Sequence, residues 1–195
     1  LYVSWIKEPD YSKDIRECWS EYKDHGWACG ASAGFIACKV EQPQEVYLIG
    51  HDLLSDTDND EIDFHISNHD AACSSMYNFT NEIKKSDLWS KRNYEMLKKI
   101  KLKSIKLDTL LKNNNIDAKN FNHWIIDLQG AELKALKGSI ESIKNCKSIV
   151  IEVSKKKFYQ ESALWHEVKD WLEKKNFVCT KEIEKDEEDI LFVKK

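Results

Sequence analysis

The sequence predicts an α/β fold whose sheet is mostly parallel and closes in an antiparallel C-terminal hairpin. Three observations carry that reading. The apolar run Trp124-Ile125-Ile126 stops at an acid, Asp127, and after Gly130 a helical pattern begins with Leu133, Leu136, Ile140 and Ile143. A second run, Ile149-Val150-Ile151-Glu152-Val153, ends in the same way one strand–helix unit later. Finally, the stretch from Phe177 to Ile183 turns through Asp186-Glu187-Glu188 into Ile190 to Val193. Buried strands that alternate with amphipathic helices pair in parallel, because the intervening helix returns the chain to the same end of the sheet.

Taken in order, Asp14 to Lys23 reads as a helix, with Ile15, Cys18, Trp19 and Tyr22 at helical spacing and Gly26 beyond its end. Gly30 to Lys39 is a small-residue turn entering a second helix, Pro43 breaks it, and Val46 to Ile49 is a strand. The aspartate-rich interval from Asp52 to Asp63 is expected to be an exposed loop. Ile62 to Ile66 alternates like a strand, and Ile100 and Leu102 alternate with Lys101 and Lys103 in the same manner. Lys84 to Lys106 is rich in basic residues and reads as a solvated face. Asp108 is placed to cap a helix from Thr109 to Lys112, which Asn113-Asn114-Asn115 ends. There follow a strand from Trp124 to Asp127, a helix from Ala131 to Lys144 and a strand from Ser148 to Val153. The helix from Ser162 to Lys175 then puts Leu164, Trp165, Val168, Trp171 and Leu172 on one face.

Composition narrows the function. A chain of 195 residues with 42% hydrophobic residues and two prolines is a folded globule with room for one α/β core. A net charge of −4 gives no general attraction to nucleic acid or to an anionic membrane. No apolar run approaches a membrane span, and the first residues do not read as a signal peptide. The six cysteines are irregularly spaced, without a Cys-x-x-Cys pair, and the histidines do not cluster, so no metal site is expected. Buried, reduced thiols in a cytoplasmic protein follow as the expectation.

The chemistry concentrates at strand ends, where open α/β sheets bind ligands. Asp127 is placed to take a proton from an acceptor or orient its hydroxyl, or else to cap the next helix. Gln129 and Gly130 let the backbone turn close to a ligand. Glu132 sits where a negative charge meets the positive end of a helix. Glu152, flanked by Ile151 and Val153, must face a polar cleft or find a partner. Gly30 and Gly34 suit either a helix start near an anionic group or close helix–strand packing. Asp52, just after a strand, is placed to bind ribose hydroxyls, with His51 beside it at a hinge.

These residues resemble the FkbM family of methyltransferases. The resemblance rests on Leu107-Asp108, the Asp127-Leu128-Gln129-Gly130-Ala131-Glu132 stretch, Leu136-Lys137-Gly138, Ile151-Glu152-Val153-Ser154, Tyr159 and Asn176-Phe177. Upstream, Ile66-Ser67-Asn68 and Cys73-Ser74-Ser75-Met76-Tyr77 resemble the family's serine-pair segment, so the similarity runs from about Ile62 to Lys195. It implies a Rossmann-like, class I methyltransferase-type sheet, S-adenosylmethionine as cofactor, and O-methylation of a small molecule or sugar hydroxyl. It further implies Ser74 and Ser75 as donors to the cofactor; the residue reading adds Asp127 and Glu152 as candidate catalytic acids and Gly30, Gly34, Asp52, Gln129 and Gly130 toward the cofactor. A small-molecule or glycan acceptor is the expected partner, without nucleic acid or membrane, and oligomeric state is left open.

The N-terminal part departs from this pattern. Ala28 stands where the family's first acid belongs, and Gly50-His51-Asp52 replaces its usual Glu-Pro. Residues 1–60 therefore read as an atypical or truncated α/β segment ahead of a methyltransferase-like region at 61–195. Gly30 to Gly34 together with Val46 to Asp52 resemble the nucleotide-binding half of sialyltransferase-like glycosyltransferases. Two alternatives follow: a glycosyltransferase-like nucleotide binder, and a remnant that keeps the fold without the cofactor. The two resemblances also read as pieces of two neighbouring α/β enzymes joined, and the start at Leu1 as that of a fragment.

Overall fold

The computed structural model describes residues 54–68, 73–86 and 93–195. The helices expected at Asp14 to Lys23 and after Gly30, and the strand at Val46 to Ile49, lie outside them.

Nine elements organise the described chain. Strands β1 (Glu61–Ser67) and β2 (Met96–Lys103) form an antiparallel ribbon, followed by helix α1 (Leu107–Asn113). Strand β3 (His123–Ile126), helix α2 (Glu132–Lys137), strand β4 (Ser148–Ser154) and helix α3 (Trp165–Glu173) come next, then β5 (Phe177–Cys179) and β6 (Glu187–Lys194). The last four strands make one sheet in the order β3-β4-β6-β5. Among the described residues β3–β4 is the parallel pairing, while β6 runs antiparallel to both β4 and β5. The sheet is thus mixed: the parallel crossover and the terminal hairpin are both present, but the mostly parallel arrangement is not what these strands make. The hairpin's second strand inserts beside β4 and leaves β5 outside it.

Period-two alternation decides what the sheet buries. Ile149, Ile151 and Val153 on β4 face the core together with Trp124 and Ile126 on β3 and Ile190 and Phe192 on β6. Leu136 of α2 and Val168 and Leu172 of α3 close over that face. Each such side chain contributes about 1.5–3 kcal/mol by leaving water. The alternate residues, among them Val150, Leu191, Val193 and Val178, fall on the other face, where the last three are about 40% exposed: 37%, 43% and 39%. Helix α3 is amphipathic as the spacing predicts, and Glu167 reaches back to accept the Leu164 backbone N–H at 2.8 Å.

Several local expectations are corrected. The helix after Gly130 ends at Lys137 rather than Lys144, and a short 3₁₀ turn, Ser142–Asn145, follows separately. Gly138 stands at that break, its carbonyl accepting the Asp108 N–H at 3.1 Å, and a Cβ on it would stand 1.9 Å from the Ser55 carbonyl oxygen. Ser55 and Leu54 are buried, so the acidic interval is not an exposed loop throughout. Asp108 does not cap its own helix, whose N-cap is Lys106. Its carboxylate instead accepts the backbone N–H groups of Glu141 and Ser142, each at 2.8 Å, and the Ser142 hydroxyl, thereby capping the 3₁₀ turn. Strand β5 is only three residues long, ending at Cys179 instead of continuing to Ile183.

Candidate active site

Alternation also explains how an acid survives between Ile151 and Val153. With those two turned to the core, Glu152 points to the opposite face, at the carboxyl end of β4. Asp127 follows the last paired residue of β3 and shares that end, while Asp189 of β6 lies directly across from Glu152 in the register.

The turn after β3 is unusual. Gln129 and Gly130 both have positive φ, 51° and 98°, so the chain doubles back within two residues. A glutamine in that region is strained, and such strain persists only where the surroundings enforce it. Here the Ser75 hydroxyl donates to the Gln129 carbonyl at 2.7 Å. Below it, Glu132 Oε1 accepts the backbone N–H groups of Leu128 and Gly130, each at 3.0 Å. Gly130 has no room for a side chain, since a Cβ would lie 2.9 Å from Tyr159 Cβ.

The Gln129 side chain then joins the acids. Its Nε2 donates to Asp127 Oδ1 at 2.6 Å and to Glu152 Oε2 at 3.3 Å, and its Oε1 accepts the Tyr159 hydroxyl at 2.5 Å. Tyr159 is buried in a second apolar cluster with Cys73, Ile83 and Phe158, and its ring packs against Phe79 at 5.3 Å between centroids.

A cleft of about 320 Å³, counted with its open mouth, lies against this arrangement and is lined by Gly130, Glu132, Glu152, Tyr159, Ser162 and Glu187 among others. Most of that volume is open to solvent, and the enclosed part holds little more than a water molecule. Glu152 lines it. Asp127 is not among its lining residues: it is half-buried and linked to Glu152 through Gln129. Asp127 is no helix cap either, because the N-cap position of α2 is Ala131.

Crowded carboxylates hold their protons tightly. Burial, and then Asp127, Glu187, Glu132 and Asp189, push the Glu152 carboxyl well above the usual range. Burial raises Glu132 to about 7 against the opposing pull of its backbone N–H bonds. Asp189 is raised by burial and by Asp127 and Glu188, partly offset by Lys181. Lys156 lines the cleft too, and pairs with Asp186 at 2.7 Å.

Oxygens of Asp127, Glu132 and Glu152 lie within 4.8 Å of one another, a spacing a divalent cation could bridge. The Gln129 amide nitrogen, within 3.3 Å of both Asp127 and Glu152, already supplies a donor between those two. Burial raises the Cys73 thiol to about 11 and that of Cys146 to about 12, so these two stay protonated.

The other sequence-predicted site residues divide. Gly30, Gly34 and Asp52 lie outside the described residues. Ser74 and Ser75 are near the site, but their hydroxyls serve the chain itself. Ser74 Oγ accepts the Ser67 N–H at 3.1 Å, and Ser75 Oγ, besides its bond to Gln129, accepts the Tyr77 N–H at 3.0 Å. Asp189, Glu187 and the link through Tyr159 escaped sequence reading, since only strand register and loop packing bring them to β4.

The family model for the methyltransferase FkbM domain matches residues 11–179. The chain belongs to that family. The FkbM match begins about fifty residues ahead of the stretch carrying the sequence resemblance, so it takes in the Gly30–Gly34 turn, and it ends at the close of β5. No curated protein and no solved structure matches the chain. No helix among the described residues is long and apolar enough to cross a membrane.

Proposed function

We propose that this FkbM-family protein is an S-adenosylmethionine-dependent methyltransferase that modifies a hydroxyl of a small molecule or sugar, with Glu152 as the group that takes the hydroxyl proton. The observation that carries this is Glu152 itself, a carboxyl of raised proton affinity on the wall of a cleft at a strand's carboxyl end. Raised affinity makes the ionised form a stronger base toward a hydroxyl than an ordinary carboxylate. The Gln129 amide, itself bonded to Asp127, donates to that carboxyl.

The described residues fit a cationic donor. S-adenosylmethionine supplies, when bound, an electrophilic methyl group on a positively charged sulfur. Glu132, Glu152 and Glu187 give the cleft a negative lining once ionised, which favours a cation and disfavours phosphate. Gly130 presents bare backbone there. Gly30, Gly34 and Asp52 remain the residues proposed to hold the rest of the cofactor, and a cytoplasmic location fits thiols that stay buried and unpaired at Cys73 and Cys146.

Calorimetric titration with S-adenosylhomocysteine, with CMP as control, tests the reading. Micromolar binding of the first alone is expected. Binding of CMP alone would favour a glycosyltransferase-like nucleotide site, and binding of neither would make the chain a remnant of the fold.

A further inference from the structure

We propose that Tyr159 is a positioning residue: by donating to Gln129 Oε1 it fixes the amide so that Nε2 bridges Asp127 and Glu152, which aims the Glu152 carboxyl at the cleft. The inference rests on the methyl-transfer reading for its functional meaning, but its geometry stands independently.

An amide has two nearly equal-sized ends, and a half-turn about its last bond exchanges them. At Gln129 the two orientations differ greatly in energy. With Nε2 toward the acids, both carboxyls receive a hydrogen bond, at 2.6 Å and 3.3 Å. With Oε1 there, an acceptor would face two acceptors whenever both acids are ionised. The phenol at 2.5 Å from Oε1 favours the first orientation by donating its proton to the oxygen end, its other acceptor, the Cys73 carbonyl, lying farther off at 3.4 Å. Burial holds the Tyr159 proton in place by raising its pKa well above the ordinary value. The phenol is itself anchored, because Phe79 and Phe158 pack with it and the Phe79 and Tyr159 backbones form an antiparallel bridge. The backbone of Gln129 is equally constrained by Ser75, so the side chain is delivered from a fixed origin.

The groups facing Glu152 come from every neighbouring element. Asp127 lies at the end of β3, Glu132 on α2, and Glu187 and Asp189 on β6, while Lys156 lines the same cleft. All of the acids disfavour an ionised Glu152. The Gln129 amide is the neutral donor opposing them, and its effect depends on which end it presents.

The test follows the Glu152 side-chain carboxyl by carbon NMR across a pH titration in protein labelled at glutamate, an experiment that needs no turnover. In Tyr159→Phe the Glu152 midpoint is expected to rise by about one pH unit, the size of losing one hydrogen bond to an ionised group. Gln129→Met should raise it similarly, and the double variant should add nothing further, because Tyr159 acts through Gln129. The pH profile of methyl transfer should move with the midpoint. An unmoved midpoint in Tyr159→Phe, or additive shifts in the double variant, would overturn the proposal. A midpoint that moves in protein that transfers no methyl group supports the positioning and sinks the methyl-transfer reading instead.

Discussion

Glu132 shows how a single residue's surroundings set its chemistry. It occupies the first turn of α2, where sequence reasoning gives it a favourable helix-dipole contact, yet it is only 6% exposed and its carboxyl rises to about 7. A carboxyl whose proton affinity is higher in the folded than in the unfolded protein stabilises the fold fully below the unfolded value. That stabilisation is lost as pH rises toward 7. The loss is on the order of 3 kcal/mol between pH 4.5 and 7. Glu132→Gln keeps an acceptor for the Leu128 and Gly130 N–H groups without the charge. Its stability relative to the parent should therefore climb from pH 5 to pH 8 in urea titrations, and parallel curves would refute the assignment. For Glu152, the proposed base, Glu152→Gln should lower kcat by roughly 10²–10⁴-fold with the fold intact. Asp127 was the acid the sequence put at the centre. Both acids are visible as strand-end residues, but which of them meets the cleft is decided by the turn at Gln129, whose positive φ no residue type announces.

At the level of elements, the described strands and helices were largely legible because each carries its own periodicity. Strand β4 shows strict alternation, and α3 shows apolar residues at helical spacing. The exceptions come from contacts made far along the chain. The Leu133–Ile143 pattern suggests one helix, but it ends at Gly138, where the Ser55 carbonyl leaves no room for a side chain. Gly138→Ala should consequently lower stability by about 1–3 kcal/mol or more, since the clash is with backbone and not with a movable side chain. Thermal or denaturant unfolding measures it, and a neutral substitution would show that the Ser55 segment yields. Asp108 reads as a cap because aspartate is a preferred one. The turn it actually caps lies more than thirty residues later, a partner that sequence spacing cannot name.

Across the whole molecule, stability is unevenly distributed. The four-stranded sheet is closed on one face by α2 and α3, whereas among the described residues β1 and β2 form a two-stranded ribbon extended by a single bridge from His65 to Ser75. Two-stranded ribbons are marginal by themselves. Hydrogen exchange should accordingly find the β4 amides protected to near the global unfolding free energy and those of β1 and β2 opening well before them. Equal protection in both would mean that the ribbon unfolds only with the sheet. The Cys73–Tyr159 cluster ties the segment after β1 to the loop after β4, so the site draws on both parts of the fold.

The sequence by itself determined the class of the fold, the alternation of its later elements, the strand-end acids and the family they belong to. Those properties depend on local patterns: periodicity, turn residues and motif order. Tertiary structure alone decided the mixed order of the sheet, the meeting of Glu152 with Asp189, the bridging amide held by Tyr159, and the burial that raises the acids' proton affinity. Each of these joins residues distant in the chain, and proton affinity is a property of surroundings that the order of residues does not display.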